Sequence, residues 1–137
     1  MRLMVELAIY QNDSPVLLKD IARRQQISAS YLEQLVLNLK AAGLVKSIRG
    51  ARGGFILGRP PENITLLEIF KASEGSLFLA ECLENSSLCK LSQDCATREL
   101  WQELKDVLSS TLSRHTLAAL AEKQRKKMQG SETMYHI

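Results

Sequence analysis

Cys82, Cys89 and Cys95 are the only cysteines of a 137-residue chain, and gaps of six and five residues keep all three thiols on one short segment. As thiolates they can wrap a single centre, and soft sulfur ligands of this kind suit iron-sulfur clusters. A cluster usually takes four protein ligands, so the fourth must come from elsewhere in the chain, a partner subunit, solvent or a small molecule. Glu81, Glu84, Asp94 and His115 are conceivable donors, and nothing in the spacing separates any of them from an ordinary solvated side chain. Two other chemistries stay open. The thiols can form a reversible disulfide or react with an oxidant, with Lys90 or Arg98 favouring the thiolate. A zinc site can also use three thiolates and one further donor, although these gaps are longer than zinc-knuckle spacing. An odd number of thiols cannot pair fully within one chain, and in a reducing cytosol such a group serves metal or redox chemistry more often than structural disulfides.

A second set of residues suits a nucleic acid. The net charge of +3 is small, but its distribution is uneven. Between residues 19 and 59, Lys19, Arg23, Arg24, Lys40, Lys46, Arg49, Arg52 and Arg59 face only Asp20 and Glu33. Between residues 60 and 100 the balance reverses, with Glu62, Glu68, Glu74, Glu81, Glu84, Asp94 and Glu99 against Lys71, Lys90 and Arg98. A basic segment of this kind is the electrostatic footprint of a polyanion-binding surface. Inside it, Ser28, Ser30, Tyr31, Glu33 and Gln34 open a helical pattern. Gln pairs bidentately with adenine, Glu accepts from the cytosine amino group, and Ser or Tyr serves bases or phosphates. Arg49 and Arg52 lie in a glycine-rich tip that can approach a duplex closely, which suits an arginine to the narrow, electronegative minor groove. Plainer roles compete: Ser28 as a helix cap, Tyr31 in the core, Glu33 in solvent. Arg23, Arg24 and Lys46 suit non-specific phosphate contact.

The elements that must position these residues follow from periodicity. Leu3, Met4, Leu7 and Ala8 have helical spacing without a lead-in, so the first helix reads as one whose start lies upstream. Asn12, Asp13, Ser14 and Pro15 break it, and Leu17, Leu18, Ile21 and Ala22 form one face of a second helix. After a turn at Ile27 and Ser28, a third helix carries Tyr31, Leu32, Leu35, Val36 and Leu39 inward, with a Ser cap at one end and Gly43 at the other. LVKSIRG and GFILGRP then read as two strands of a hairpin wing. Pro60 and Pro61 close that unit, and Thr65 caps a short helix through Leu66, Leu67, Ile69 and Phe70. Gly75 and Ser76 loosen the chain before the cysteine loop. From Ala96 to Lys127 there is no Gly or Pro, which predicts one long helix. Its apolar set of Trp101, Leu104, Val107, Leu108, Leu112, Leu117 and Leu120 is too extensive to be covered by folding back on so small a domain, so a second copy of the chain is the expected cover.

The predicted architecture is therefore mainly α with a small β-hairpin wing: a winged helix-turn-helix plus a long C-terminal dimerisation helix. Its divisions are a DNA-binding domain over 1–61, a connecting helix over 62–80, the cysteine loop over 81–95, the dimerisation helix over 96–127 and a flexible tail over 128–137. No run is long and apolar enough to span a bilayer, and MRLMVELAIYQ lacks the parts of a signal peptide, so a cytoplasmic protein is expected. No nucleophile elbow, phosphate loop or paired-carboxylate site appears, and the glycines at 50–54 sit in a hairpin rather than before a helix, so the sequence does not read as an enzyme.

The run ISASYLEQLVLNLKAAGLVKSIRGARGGFILGRP, followed by ITLLEI, the three-cysteine loop and CATRELW, resembles the IscR/NsrR group of the Rrf-two family of regulators over almost the whole chain. The resemblance implies a homodimeric repressor or activator of promoter DNA, with Glu33 and Gln34 in base discrimination and Arg49 in the minor groove. It also implies an iron-sulfur cluster, of 2Fe-2S or 4Fe-4S type, on Cys82, Cys89 and Cys95. In IscR-like relatives a histidine three residues after the last cysteine can serve as the fourth ligand, and here that position is Arg98. NsrR-like relatives borrow a carboxylate from the partner's first helix, which in this chain would lie upstream of Met1. The fourth ligand is therefore unassigned. A metal-free thiol regulator, a protein-interaction module on the long helix, and an iron-sulfur accessory that ignores DNA are the alternatives.

Overall fold

A computed structural model gives the fold, describing residues 1–12, 14–75, 77 and 79–135. Asp13 and Ser76, read above as loop residues, and the last two residues of the tail lie outside that description. The helices are α1 (Arg2–Tyr10), α2 (Leu18–Gln25), α3 (Ala29–Ala41), α4 (Leu66–Glu74), α5 (Ala96–Arg114) and α6 (Leu117–Tyr135), with strands β1 (Val45–Ile48) and β2 (Gly54–Leu57) between α3 and α4. The strands pair antiparallel with Val45 opposite Leu57 and Ile48 opposite Gly54. The wing has a root in the α1–α2 connection as well. Val16 and Phe55 exchange backbone hydrogen bonds at 2.9 and 2.8 Å, and the Gln11 side chain accepts from the Leu57 N–H.

One core joins these elements: Leu3, Met4 and Leu7 of α1, Ile21 of α2, Leu32, Val36 and Leu39 of α3, Leu57 of the wing, Ile69 of α4 and Leu117 of α6 are all buried. The helical spacing read in α1 and α3 accounts for most of them. Two inward assignments change. Leu17 caps α2 and is exposed, and Tyr31 is 51% exposed rather than packed in the core.

Thr65 caps α4 as expected and does so reciprocally. The Glu68 N–H donates to the Thr65 hydroxyl at 3.2 Å, and the Thr65 N–H donates to the Glu68 carboxylate at 2.8 Å. This satisfies two of the donors that a helix start leaves open. Arg59 also donates to Glu68 at 2.8 Å, so the residue that follows the wing is tied to the head of α4.

The single long helix expected over 96–127 is two helices. The chain reverses at His115 and Thr116, where Leu66 N–H donates to the His115 carbonyl at 3.0 Å and Leu117 N–H to that of Ile64 at 2.8 Å. The Thr116 hydroxyl accepts from the Ala119 N–H and so starts α6 afresh. The reversal lets Leu117 join the core with Leu112 and Leu120 packed against it, so part of the apolar set assigned to a second copy is covered by the chain itself. Arg125 fastens the pair by donating to the Ala8 carbonyl at 2.9 Å. The stretch from 128, read as a frayed tail, is helical through Tyr135 because adding residues to a docked helix costs little.

The Glu68 carboxyl is held below its usual range, first by the Thr65 N–H and then by Arg59. A carboxylate depressed on folding stabilises the fold above its unfolded pKa, and that contribution fades as pH falls through the folded value. Glu68→Gln should therefore lower the thermal midpoint at pH 7, with the gap to wild type closing in melts taken below about pH 4. A gap independent of pH would contradict the assignment.

Candidate nucleic-acid interface and thiol loop

Helices α2 and α3 are joined by a three-residue turn. Gln26 takes the left-handed conformation at φ 53°, ψ 45°, and the Ile27 N–H returns to the Ala22 carbonyl at 3.1 Å. Ser28 then caps α3, its hydroxyl accepting from the Tyr31 N–H at 3.3 Å. The cap and the interface readings of Ser28 are thus compatible, because the residue is also exposed. Ser30, Tyr31, Glu33 and Gln34 are exposed too, and among the described residues their side chains have no partner. Helical geometry puts Ser30, Glu33 and Gln34 on one strip, since residues three and four apart are neighbours on a helix surface.

Arg49 and Arg52 stand exposed at the tip between β1 and β2. Gly50 has φ 109° and its carbonyl accepts from the Gly53 N–H at 3.0 Å, a turn that residues with a Cβ adopt poorly. At the root, a Cβ on Gly54 would stand 2.7 Å from the Val16 carbonyl oxygen, so the close approach of β2 to the α2 lead-in requires glycine there.

Arg24 does not belong with the phosphate-contacting candidates. It donates through Nε to Glu6 at 2.8 Å and lies over the Tyr10 ring, 4.1 Å from its centroid. Gln25 donates to the other Glu6 oxygen at 2.6 Å. Glu6 is 5% exposed, so a buried carboxylate fixes the end of α2 against α1. The sequence carries a signal for this residue, a lone acid among Leu3, Met4 and Leu7 on an apolar face, but not for its partner. Arg23 remains on the surface, paired with Asp20 at 3.3 Å.

The cysteine loop consists of three 3-10 turns, Glu81–Leu83, Ser86–Leu88 and Ser92–Asp94. The buried Ser92 donates to the Ser86 carbonyl at 2.9 Å and holds the second and third turns together. Cys89 is exposed, and Cys82 and Cys95 are half-buried. Cys95 immediately precedes α5; its thiol lies 3.0 Å from the Thr97 hydroxyl, and that contact, with the Arg98 N–H, holds it below the usual thiol pKa. Arg98 donates to the Cys82 carbonyl at 3.4 Å, tying the first turn of α5 to the first cysteine. Among the described residues no three His, Cys, Asp or Glu side chains stand together as a metal-binding group. His115 lies at the α5–α6 reversal, with its backbone carbonyl accepting from Leu66.

A helix-turn-helix flanked by an arginine-tipped hairpin defines the class of winged helix-turn-helix, DNA-binding transcription regulators. A family model described as an iron-dependent transcriptional regulator, Rrf2, matches residues 1–123, and the chain belongs to the Rrf2 family. It is 43% identical over 119 residues to the regulator CymR of Bacillus subtilis, covering 87% of this chain and 81% of that one. To the regulator IscR of Yersinia enterocolitica it is 39% identical over 121 residues, covering 88% and 73%. Its fold matches the solved structure of CymR, described as the global cysteine regulator of B. subtilis, with a TM-score of 0.72, 42% identity and 89% of each chain covered. T. potens IscR matches with a TM-score of 0.72 and 37% identity, over 90% of this chain and 80% of that one. These relatives are transcription regulators rather than enzymes, and the resemblance drawn from the recognition helix and wing is confirmed. Among the described residues no helix is long and apolar enough to cross a membrane.

Two substitutions test how the head is held. Arg24→Ala leaves a buried carboxylate without its cation and should cost about 3 kcal/mol in urea unfolding. Gln26→Val puts a β-branched side chain in the left-handed region, and a loss of about 1–2 kcal/mol is expected while Gln26→Gly is tolerated.

Proposed function

We propose that the protein acts as a cytoplasmic homodimer, gripping double-stranded promoter DNA with α3 and the wing and adjusting that grip through the cysteine loop. The observation that carries the reading is an exposed strip of α3, together with exposed arginines at the wing tip, whose side chains have no partner among the described residues. Ser30, Glu33 and Gln34 address base edges in the major groove, Ser28 and Tyr31 meet bases or backbone, and Arg49 enters the minor groove with Arg52 beside it. The dimer rests on α5, where Leu100, Trp101, Leu104, Val107 and Leu108 form an exposed apolar stripe that a second α5 would cover.

For the signal, two readings are kept. The family description as iron-dependent supports an iron-sulfur cluster on Cys82, Cys89 and Cys95 with a ligand from outside the three. The ungathered thiols, and the position of Cys95 beside Thr97 at the head of α5, support metal-free thiol chemistry instead. Either way the loop feeds directly into α5, so its order bears on how two heads are spaced.

Anaerobically purified protein should select a duplex from a random-sequence pool and bind it with a steep salt dependence. Arg49→Ala should weaken that binding about fivefold or more, from roughly 1–3 kcal/mol per specific arginine contact. Visible absorbance with bound iron separates the cluster reading from the thiol reading. Loop states that bind the selected duplex equally would remove the sensing role and leave DNA binding intact, whereas useful coupling requires about 1–3 kcal/mol.

A further inference from the structure

Leu37 is 66% exposed in the middle of α3, among the most exposed large apolar residues of the protein. A single surface leucine is ordinary and by itself means nothing. Its register does not fit that reading. At 100° per residue, seven residues bring a helix back to within about 20° of its starting direction, so Leu37 continues the strip of Ser30, Glu33 and Gln34. The resulting i, i+3, i+4, i+7 set is the one by which a homeodomain helix laid in the major groove reaches base edges. The inward neighbours Val36 and Leu39 fill the core, and Leu37 points away from them.

We propose that Leu37 is a specificity-determining residue that reads a thymine by packing on its C5-methyl group. This rests on the reading of α3 as the recognition helix and adds to it an apolar component. The thymine methyl is the one apolar group that the major-groove edge of a base pair presents, and burying it is the only recognition a leucine can offer there. The helix rises about 10.5 Å between Ser30 and Leu37, which spans roughly three base pairs at 3.4 Å per step. The thymine therefore lies about three pairs from the one addressed by Ser30.

The test uses the full chain and a duplex that it selects from a random-sequence pool, in which each thymine is replaced singly by uracil. Uracil lacks only the methyl group and keeps every hydrogen-bonding edge. The expected result is one position per half-site where uracil weakens wild-type binding about fourfold, the equivalent of roughly 0.8 kcal/mol for a buried methyl-sized group. Leu37→Ser should bind the thymine and uracil duplexes equally at that position, while Leu37→Met, which keeps an apolar reach, should retain most of the discrimination. Both variants change an exposed side chain, and matching thermal midpoints confirm that they fold. A selected half-site without thymine, or uracil effects identical in wild type and Leu37→Ser, would overturn the inference and leave DNA binding standing. Selection of no duplex at all would overturn both.

Discussion

Two backbone hydrogen bonds, between Leu66 and His115 and between Leu117 and Ile64, hold the junction on which the rest of the architecture depends. They join the start of α4 and the residues just before it to the reversal between α5 and α6. Because Ile64, Leu66 and Leu117 are buried, leaving their backbone groups unpaired would carry the desolvation penalty of orphaned polar groups. The junction therefore fixes the point from which α5 departs and at which α6 turns back onto α1. The Thr65–Glu68 capping box sits on the same spot, and Arg59 extends it to the base of the wing. One small patch of polar bonding thus ties the thiol-bearing arm to the DNA-reading head.

The head itself is tied at other points. Glu6 with Arg24 and Gln25 fixes α2 on α1, and Arg125 fixes α6 on the far part of α1. A buried ion pair is weak evidence for net stability, since desolvation offsets most of the attraction. What it supplies is a defined relation between two helices that apolar contact alone would leave freer to slide. Against this fixed frame the side chains of the α3 strip and the wing tip have no partner among the described residues, as a surface awaiting a partner requires.

Much of this was legible in the sequence wherever a signal is local. The Ser28 cap, the apolar spacing of α3, the glycines of the wing and Thr65 before a leucine pair all act within a few residues, and each marks its element. The α5–α6 reversal was not legible because neither Gly nor Pro marks it. Thr116 caps α6, but a threonine before Leu-Ala-Ala-Leu passes equally well inside a continuous helix, and the bonds that break the helix reach back to Ile64 and Leu66. Glu6 was not singled out although an acid on an apolar face is a local signal, and its partners lie 18 and 19 residues away, where no periodicity predicts them. Leu37 was readable as the seventh residue after Ser30, but only exposure distinguishes it from a core leucine such as Leu39. The cysteine spacing announced sulfur chemistry, while the chemistry itself depends on where the thiols sit in space, which spacing cannot say.

The wing is clamped at its root and free at its tip. Phe55 is bonded to Val16 on both backbone groups, Leu57 is held by the Gln11 side chain, and Gly54 leaves no space beside the Val16 carbonyl. Among the described residues, 49–53 have no such hydrogen bonds beyond their own turn. The hairpin is therefore a short cantilever: its end can bend along a neighbouring surface while its attachment stays rigid. The two arginines at that end can follow a groove of varying width without disturbing the tilt of the helix beside them.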